Sequence, residues 1–124
     1  MRILLADNRS RVRFALRSLL EEQSGLMVVG EVSDCQELLA QAEADCPDLV
    51  LVDWDLPGMA AVDLLPVLRK ICPGLPVIAL CGRPEVEGAA LAAGAQAFVS
   101  KAGPPEPLLV AIQDVKDRYM EDLS

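Results

Sequence analysis

Short unbroken apolar runs alternate with helical periodicity from one end of the chain to the other. Ile3-Leu4-Leu5-Ala6 reads as a strand stopped by Asp7-Asn8. Residues 9–22 then carry Val12, Leu16, Leu19 and Leu20 at helical spacing, with Arg11, Arg13, Arg17 and Glu21 largely off that face. Gly25 is the expected end of this helix. Residues 27–32 form a second strand, and Ser33-Asp34-Cys35-Gln36 reads as a capping box opening a helix to about Asp45, with Pro47 after the stop. Leu49-Val50-Leu51-Val52 is a third strand ended by Asp53. Its apolar residues are consecutive rather than alternating, which predicts a strand covered on both faces.

Leu56-Pro57-Gly58 has turn chemistry, and Leu64, Leu65, Leu68 and Ile71 mark the next helical face. Pro66 belongs in that helix's first turn or at a kink, because it lacks an N–H and clashes one turn back. After Pro73-Gly74, residues 75–80 form a fourth strand, and Cys81-Gly82-Arg83-Pro84 a loop. A short Ala-rich helix follows over 85–93, weakened by Gly88. Ala97-Phe98-Val99 is the fifth strand, ended by Ser100-Lys101. Gly103-Pro104-Pro105-Glu106 opens a last helix, with Pro105 in an early position. That helix has Leu108, Leu109, Ile112, Val115 and Tyr119 on its apolar face. Strand and helix thus alternate five times, the signature of an α/β fold with a parallel sheet and helices on both faces.

Length and charge narrow this picture. With 124 residues the chain is expected to be one domain over 1–124, large enough to fold without a metal or a disulfide. Aromatic residues are 3% of the chain, so the core must be aliphatic. The sequence has no histidine, which removes Ser-His-Asp and Cys-His catalysis, His-ligated metals and a phosphohistidine of its own. A net charge of −8 argues against this chain gripping nucleic acid. It suits a cation or a basic partner surface. Cys35, Cys46, Cys72 and Cys81 lack CxxC spacing and are expected to be small buried hydrophobes in a reducing cytoplasm, not a zinc site. No run approaches the ~18–20 apolar residues of a membrane span. Met1-Arg2-Ile3-Leu4-Leu5-Ala6-Asp7 turns acidic too soon for a signal peptide, so no membrane association is expected.

The chemistry gathers at the carboxyl ends of the strands, where open α/β sheets place their functional crevice. Asp7 and Asn8 follow strand one, Asp53 and Asp55 strand three, Cys81 and Gly82 strand four, Ser100 and Lys101 strand five. Clustered carboxylates favour a hard cation such as Mg²⁺, and a lysine opposite them can hold a phosphoryl group as a point charge. Nucleotide binding is the competing use of this architecture. The first strand–helix turn, Ala6-Asp7-Asn8-Arg9-Ser10, has no glycine-rich phosphate loop, and its acid would repel a diphosphate.

These residues resemble the receiver domains of bacterial two-component response regulators. The resemblance rests on Leu4-Leu5-Ala6-Asp7-Asn8, on residues 47–59 with Asp53-Trp54-Asp55-Leu56-Pro57-Gly58, on Pro76-Val77-Ile78-Ala79-Leu80, on Ala93-Gly94-Ala95 and on Phe98-Val99-Ser100-Lys101. It is nearest to receivers of LuxR/NarL-type regulators. It implies a doubly wound, flavodoxin- or CheY-like sheet of order 2-1-3-4-5, and a signalling module rather than an enzyme. It also implies Asp53 as phosphoryl acceptor, and a sensor histidine kinase or phosphotransfer protein as donor. Mg²⁺ would be held at Asp7, Asn8, Asp53 and the Asp55 carbonyl. Lys101, Cys81 and Gly82 would contact the phosphoryl group, and Phe98 would be the aromatic switch. An output domain, or a second copy docked through the last helix, would be the downstream partner. In that helix Asp114, Lys116, Asp117, Arg118 and Glu121 form the polar side, and Tyr119, Met120 and Leu123 are expected to outrun the core.

Four departures stand out. Asn8 replaces the second acid of the family's pair, which lowers the expected metal affinity. Cys81 replaces a Thr or Ser and is a far weaker donor. Ala60-Ala61 replaces Asp-Gly, and the stretch from Cys81 to Gly94 is short, so the fourth helix should be reduced. A receiver that binds or dimerises without phosphate control is the alternative function.

Overall fold

The computed structural model describes residues 1–119. In chain order the elements are β1 (Arg2–Ala6), α1 (Ser10–Glu21), β2 (Met27–Val32), α2 (Cys35–Ala44), β3 (Leu49–Asp53) and α3 (Ala61–Ile71). Then come β4 (Val77–Cys81), a 3₁₀ turn (Pro84–Val86), α4 (Glu87–Ala92), β5 (Ala97–Ser100) and α5 (Glu106–Tyr119). The five strands form one sheet in the order β2-β1-β3-β4-β5, and every neighbouring pair is parallel. This is the doubly wound fold the alternation predicts.

The consecutive apolar runs are explained by the two cores. Period-2 alternation sends Leu4, Ala6, Val50, Val52, Val77 and Ala79 to one face of the sheet, with α2, α3 and α4. It sends Ile3, Leu5, Leu49, Leu51, Ile78 and Leu80 to the other, with α1 and α5. Because both faces are covered, every residue of β3 and β4 is buried. Alternating polar residues are therefore excluded from the central strands.

The structure moves several expected boundaries. The first helix ends at its C-cap Glu22, before Gly25, which instead turns the chain at φ +83°. The cap of α2 is Asp34, whose carboxylate accepts from the Glu37 N–H at 2.8 Å. Glu37 reaches back to the N–H and hydroxyl of Ser33, each at 2.7 Å. Pro66 lies in the second turn of α3, and the helix runs through it. Pro105 precedes α5, and Pro107 takes the early helical position. The fourth helix is reduced, as expected: one 3₁₀ turn and six helical residues, of which only Ala90 is buried. Glu121, Met120 and Leu123 lie outside the described residues, and Tyr119 is exposed.

The cysteine expectation holds for two residues and fails for two. Cys35 and Cys81 are buried free thiols. Cys46 and Cys72 instead form a disulfide, with Cα atoms 5.8 Å apart. Cys46 follows the last turn of α2, and Cys72 is the C-cap of α3. The two helices pack side by side, so their ends bring together residues 26 apart in sequence.

Candidate functional site

Each site residue is held by backbone bonding at the carboxyl edge of the sheet. Asp7 N–H donates to the Val32 carbonyl at 3.0 Å, which extends the β1–β2 ladder by one residue. Trp54 N–H donates to the Leu80 carbonyl at 2.8 Å and ties the β3–α3 loop to β4. Lys101 N–H donates to the Cys81 carbonyl at 3.1 Å. Gly58, at φ +119°, closes the turn after the acid segment, where an added Cβ would stand 3.0 Å from Cys35 Cβ. That close approach and left-handed backbone explain the glycine.

Asp7 and Asp53 are the buried charged residues among those described, 1% and 7% exposed. Lys101, carried in from β5, lies between them: its Nζ is 2.5 Å from Asp7 Oδ2 and 3.1 Å from Asp53 Oδ1. Two carboxylates this close repel, and the ammonium relieves that repulsion where water cannot. Asp53 Oδ1 also accepts the Asp55 N–H at 3.0 Å, and Asp7 Oδ1 accepts the Arg9 N–H at 2.8 Å. The Arg9 guanidinium lies 3.7 Å from Asp7.

Asp55 is arranged differently. Its side chain is exposed and forms an ion pair with Arg83. The neighbouring Asp55 charge, with a smaller contribution from Cys81, raises the Arg83 pKa. Cys81 is buried beneath this pair, its Sγ 3.7 Å from Asp55 Oδ2 and 3.4 Å from the Arg83 amide nitrogen. In the sequence, residues 81–84 read as a loop in which Arg83 has no expected role. The available signal was that Arg83 is the sole cation between Lys70 and Lys101.

The edge encloses an open recess of about 690 Å³ lined by Asn8, Arg9, Asp53, Asp55, Pro57, Gly82, Arg83, Lys101 and Ala102. The sequence-derived set of Asp7, Asn8, Asp53, Asp55, Gly82, Cys81 and Lys101 is thus brought to one place. Phe98 stands apart, half-buried on β5 against the α2–α4 core. The expected excess of negative charge is absent, because three carboxylates face three cations: Lys101, Arg83 and Arg9.

A divalent cation fits the donor chemistry. The oxygens of Asp7 and Asp53 already converge on one cationic atom, Lys101 Nζ. Among the described residues no group of three or more Asp, Glu, Cys or His side chains forms a metal cage.

The comparisons agree with this geometry. The family model described as the response regulator receiver domain matches residues 3–113. The chain is 35% identical to the transcriptional activator protein ExaE of Pseudomonas putida, over 93% of this chain and 55% of that protein. It is 32% identical to the nitrate/nitrite response regulator protein NarL of Escherichia coli K12, over 89% and 52%. The chain therefore spans about half the length of these curated relatives. Among solved structures, a LuxR-family two-component response regulator from Aurantimonas matches with TM-score 0.85 and 28% identity, over 92% of this chain and 83% of that one. RcsB of Salmonella enterica serovar Typhimurium, solved on promoter rprA with a phosphomimetic, matches with TM-score 0.84 and 26% identity, over 91% and 66%. With the parallel sheet, the buried acid pair and the bridging lysine in place, the match over residues 3–113 makes this chain a member of the response regulator receiver domain family.

Proposed function

We propose that the chain, as a single receiver domain over 1–124, accepts a phosphoryl group on Asp53 from a phosphohistidine of a sensor kinase or phosphotransfer protein. An Asp53 carboxylate oxygen attacks phosphorus. The phosphorus–nitrogen bond of the donor breaks, and its electron pair returns to the donor imidazole, which takes up a proton. The observation that carries this reading is Lys101 Nζ, 3.1 Å from Asp53 Oδ1 and placed to balance an incoming oxyanion. Mg²⁺, held by Asp7, Asp53, the Asn8 amide oxygen and the Asp55 carbonyl, would supply charge neutralisation. Gly82 lets the phosphoryl group approach the β4–α4 backbone, and the Cys81 thiol stands where a stronger donor would serve. Phe98, half-buried on β5 against the α2–α4 core, passes the change to an output domain or a second copy. The compartment is the cytoplasm, where the Cys46–Cys72 bridge is open to reduction, and the module is a switch rather than a turnover enzyme. Among the described residues no helix is long and apolar enough to cross a membrane.

Acetyl phosphate with Mg²⁺ is expected to add one phosphoryl mass to the intact chain, and Asp53→Asn to remove it. An unmodified wild-type chain at saturating Mg²⁺ would overturn the reading. The second reading is a phosphorylation-independent interaction module. It is favoured by carboxylates already paired to Lys101, Arg83 and Arg9 and by a buried thiol in place of a hydroxyl.

A further inference from the structure

We infer that Arg83 is a phosphoryl-binding residue of this chain, and that Asp55 occupies it as a tethered stand-in anion until Asp53 is modified. The inference rests on the phosphoacceptor reading above.

The β4–α4 loop must hold the oxygens of an aspartyl phosphate from the side opposite Lys101, and Cys81 is poorly equipped to do so. A thiol donates weakly, and this one is buried and already engaged with Asp55 and the Arg83 amide. Two residues on, Arg83 is the strong donor that the loop offers. Its guanidinium lines the same recess as Asp53 and Lys101. Its planar fork matches a carboxylate or a phosphoryl group, two oxygens at a time.

Arg83 is positioned rather than dangling. Its residue is the N-cap of the 3₁₀ turn, in extended conformation, with Pro84 fixing the next backbone angle. Its partner Asp55 is two residues from Asp53, and the Asp55 N–H bonds the Asp53 carboxylate at 3.0 Å. A guanidinium paired with the Asp55 carboxylate therefore lines the same recess as the Asp53 carboxylate. Modification of Asp53 replaces one carboxylate charge by a dianionic group with three acceptor oxygens at that spot. The phosphoryl oxygens then compete with Asp55 for one guanidinium, and the more charged, better-matched acceptor takes it. Both Arg83 and Asp55 are about half exposed, so the exchange needs no opening of the core. Six-residue α4, with only Ala90 buried, leaves the loop free to follow.

The scheme predicts opposite effects for the two partners and a specific coupling between them. Beryllofluoride with Mg²⁺ serves as the phosphoryl probe, and Trp54, the one tryptophan, sits next to Asp53 and reports by fluorescence. Arg83→Ala is expected to weaken beryllofluoride binding about tenfold and to shorten the lifetime of the acetyl phosphate-derived adduct. Arg83→Lys, which keeps charge but loses the fork, recovers part of both. Asp55→Asn keeps the backbone carbonyl and frees Arg83, so it tightens binding. In the Arg83→Ala background the Asp55→Asn gain disappears. A gain that persists there means Asp55 acts by general repulsion, and it overturns the exchange. Wild-type affinity in Arg83→Ala overturns the assignment of Arg83 while leaving Asp53 as acceptor. Absence of any adduct on wild-type Asp53 overturns the phosphoacceptor reading and the Arg83 assignment with it.

Discussion

Helices α3 and α4 follow adjacent, equally buried strands, yet they are held very differently. Ala61–Ile71 buries Ala61, Leu64, Leu65 and Leu68, and its C-cap is bonded covalently to the end of α2. Glu87–Ala92 buries Ala90 alone and leaves Leu91 44% exposed. At roughly 1.5–3 kcal/mol per buried leucine side chain, three leucines outweigh one alanine by several kcal/mol. What chiefly ties the end of α4 to the rest is borrowed from α3. Arg69 donates to the Gly94 carbonyl and to Gln96 Oε1, and Gln96 Oε1 also accepts the Val77 N–H at 2.7 Å. Gly94, at φ +109°, leaves the space that Arg69 fills, since a Cβ there would fall 2.3 Å from Nη1. The recess thus has one firm shore, carrying Asp53 and Asp55, and one lightly held shore, carrying Cys81, Gly82 and Arg83. Segments that switch are drawn from the low-stability end of a fold, and here that end is residues 82–93.

The contrast is broken most forcefully at α3. Leu68→Ala should cost roughly 3–5 kcal/mol in urea unfolding, whereas Leu91→Ala on α4 should stay within about 0.5 kcal/mol. Equal losses would mean that the two helices are anchored alike. A smaller loss tests the covalent tie. Cys46→Ser should lower the stability of the oxidised chain by about 3.5 kcal/mol, the loop-closure value for 26 residues. Reductant should bring wild type down to the variant, and a wild-type midpoint indifferent to dithiothreitol would remove the bond from the ledger. The smallest effect sits at the start of α2. Hydrogen bonds from the Ser33 N–H, then from its hydroxyl, hold the Glu37 carboxyl below its ordinary value of 4.5. A depressed folded-state pKa stabilises above the unfolded value and is lost as pH falls through the folded one. Wild type should therefore exceed Glu37→Gln in denaturant midpoint at neutral pH, with the gap closing below about pH 4.5. A gap unchanged down to pH 3 would mean that the charge on Glu37 does nothing for the cap.

Local chemistry was readable in the sequence, and juxtaposition was less so. β3 falls where its apolar run puts it, because a strand buried on both faces tolerates no polar residue before its carboxyl end at Asp53; β2, at the sheet edge with Glu31 exposed, keeps its expected bounds without that constraint. The short α4 was visible because the stretch from Cys81 to Gly94 is shorter than the resembled family's usual length. Asp7, Asp53 and Lys101 could be gathered because parallel strands share one carboxyl edge. Pairings between side chains resist such reading. Whether Cys46 meets Cys72 depends on how two helices end beside each other. Whether Asp55 faces a metal or Arg83 depends on the path of a loop with no periodicity. The acid cluster was legible as an excess of charge, and its compensation by three cations was not.

The Cys46–Cys72 bond also has a mechanical consequence. The closed loop of 26 steps contains all of β3, Asp53, the turn at Gly58 and all of α3. A chain pulled by its two ends transmits tension through the sulfur bridge and not through the strand that ends at Asp53. Even after complete unfolding, roughly 90 Å of contour stays hidden, to be released when the bridge is reduced. Force spectroscopy of this molecule therefore carries an internal ruler, whose extra length reads out its oxidation state one molecule at a time.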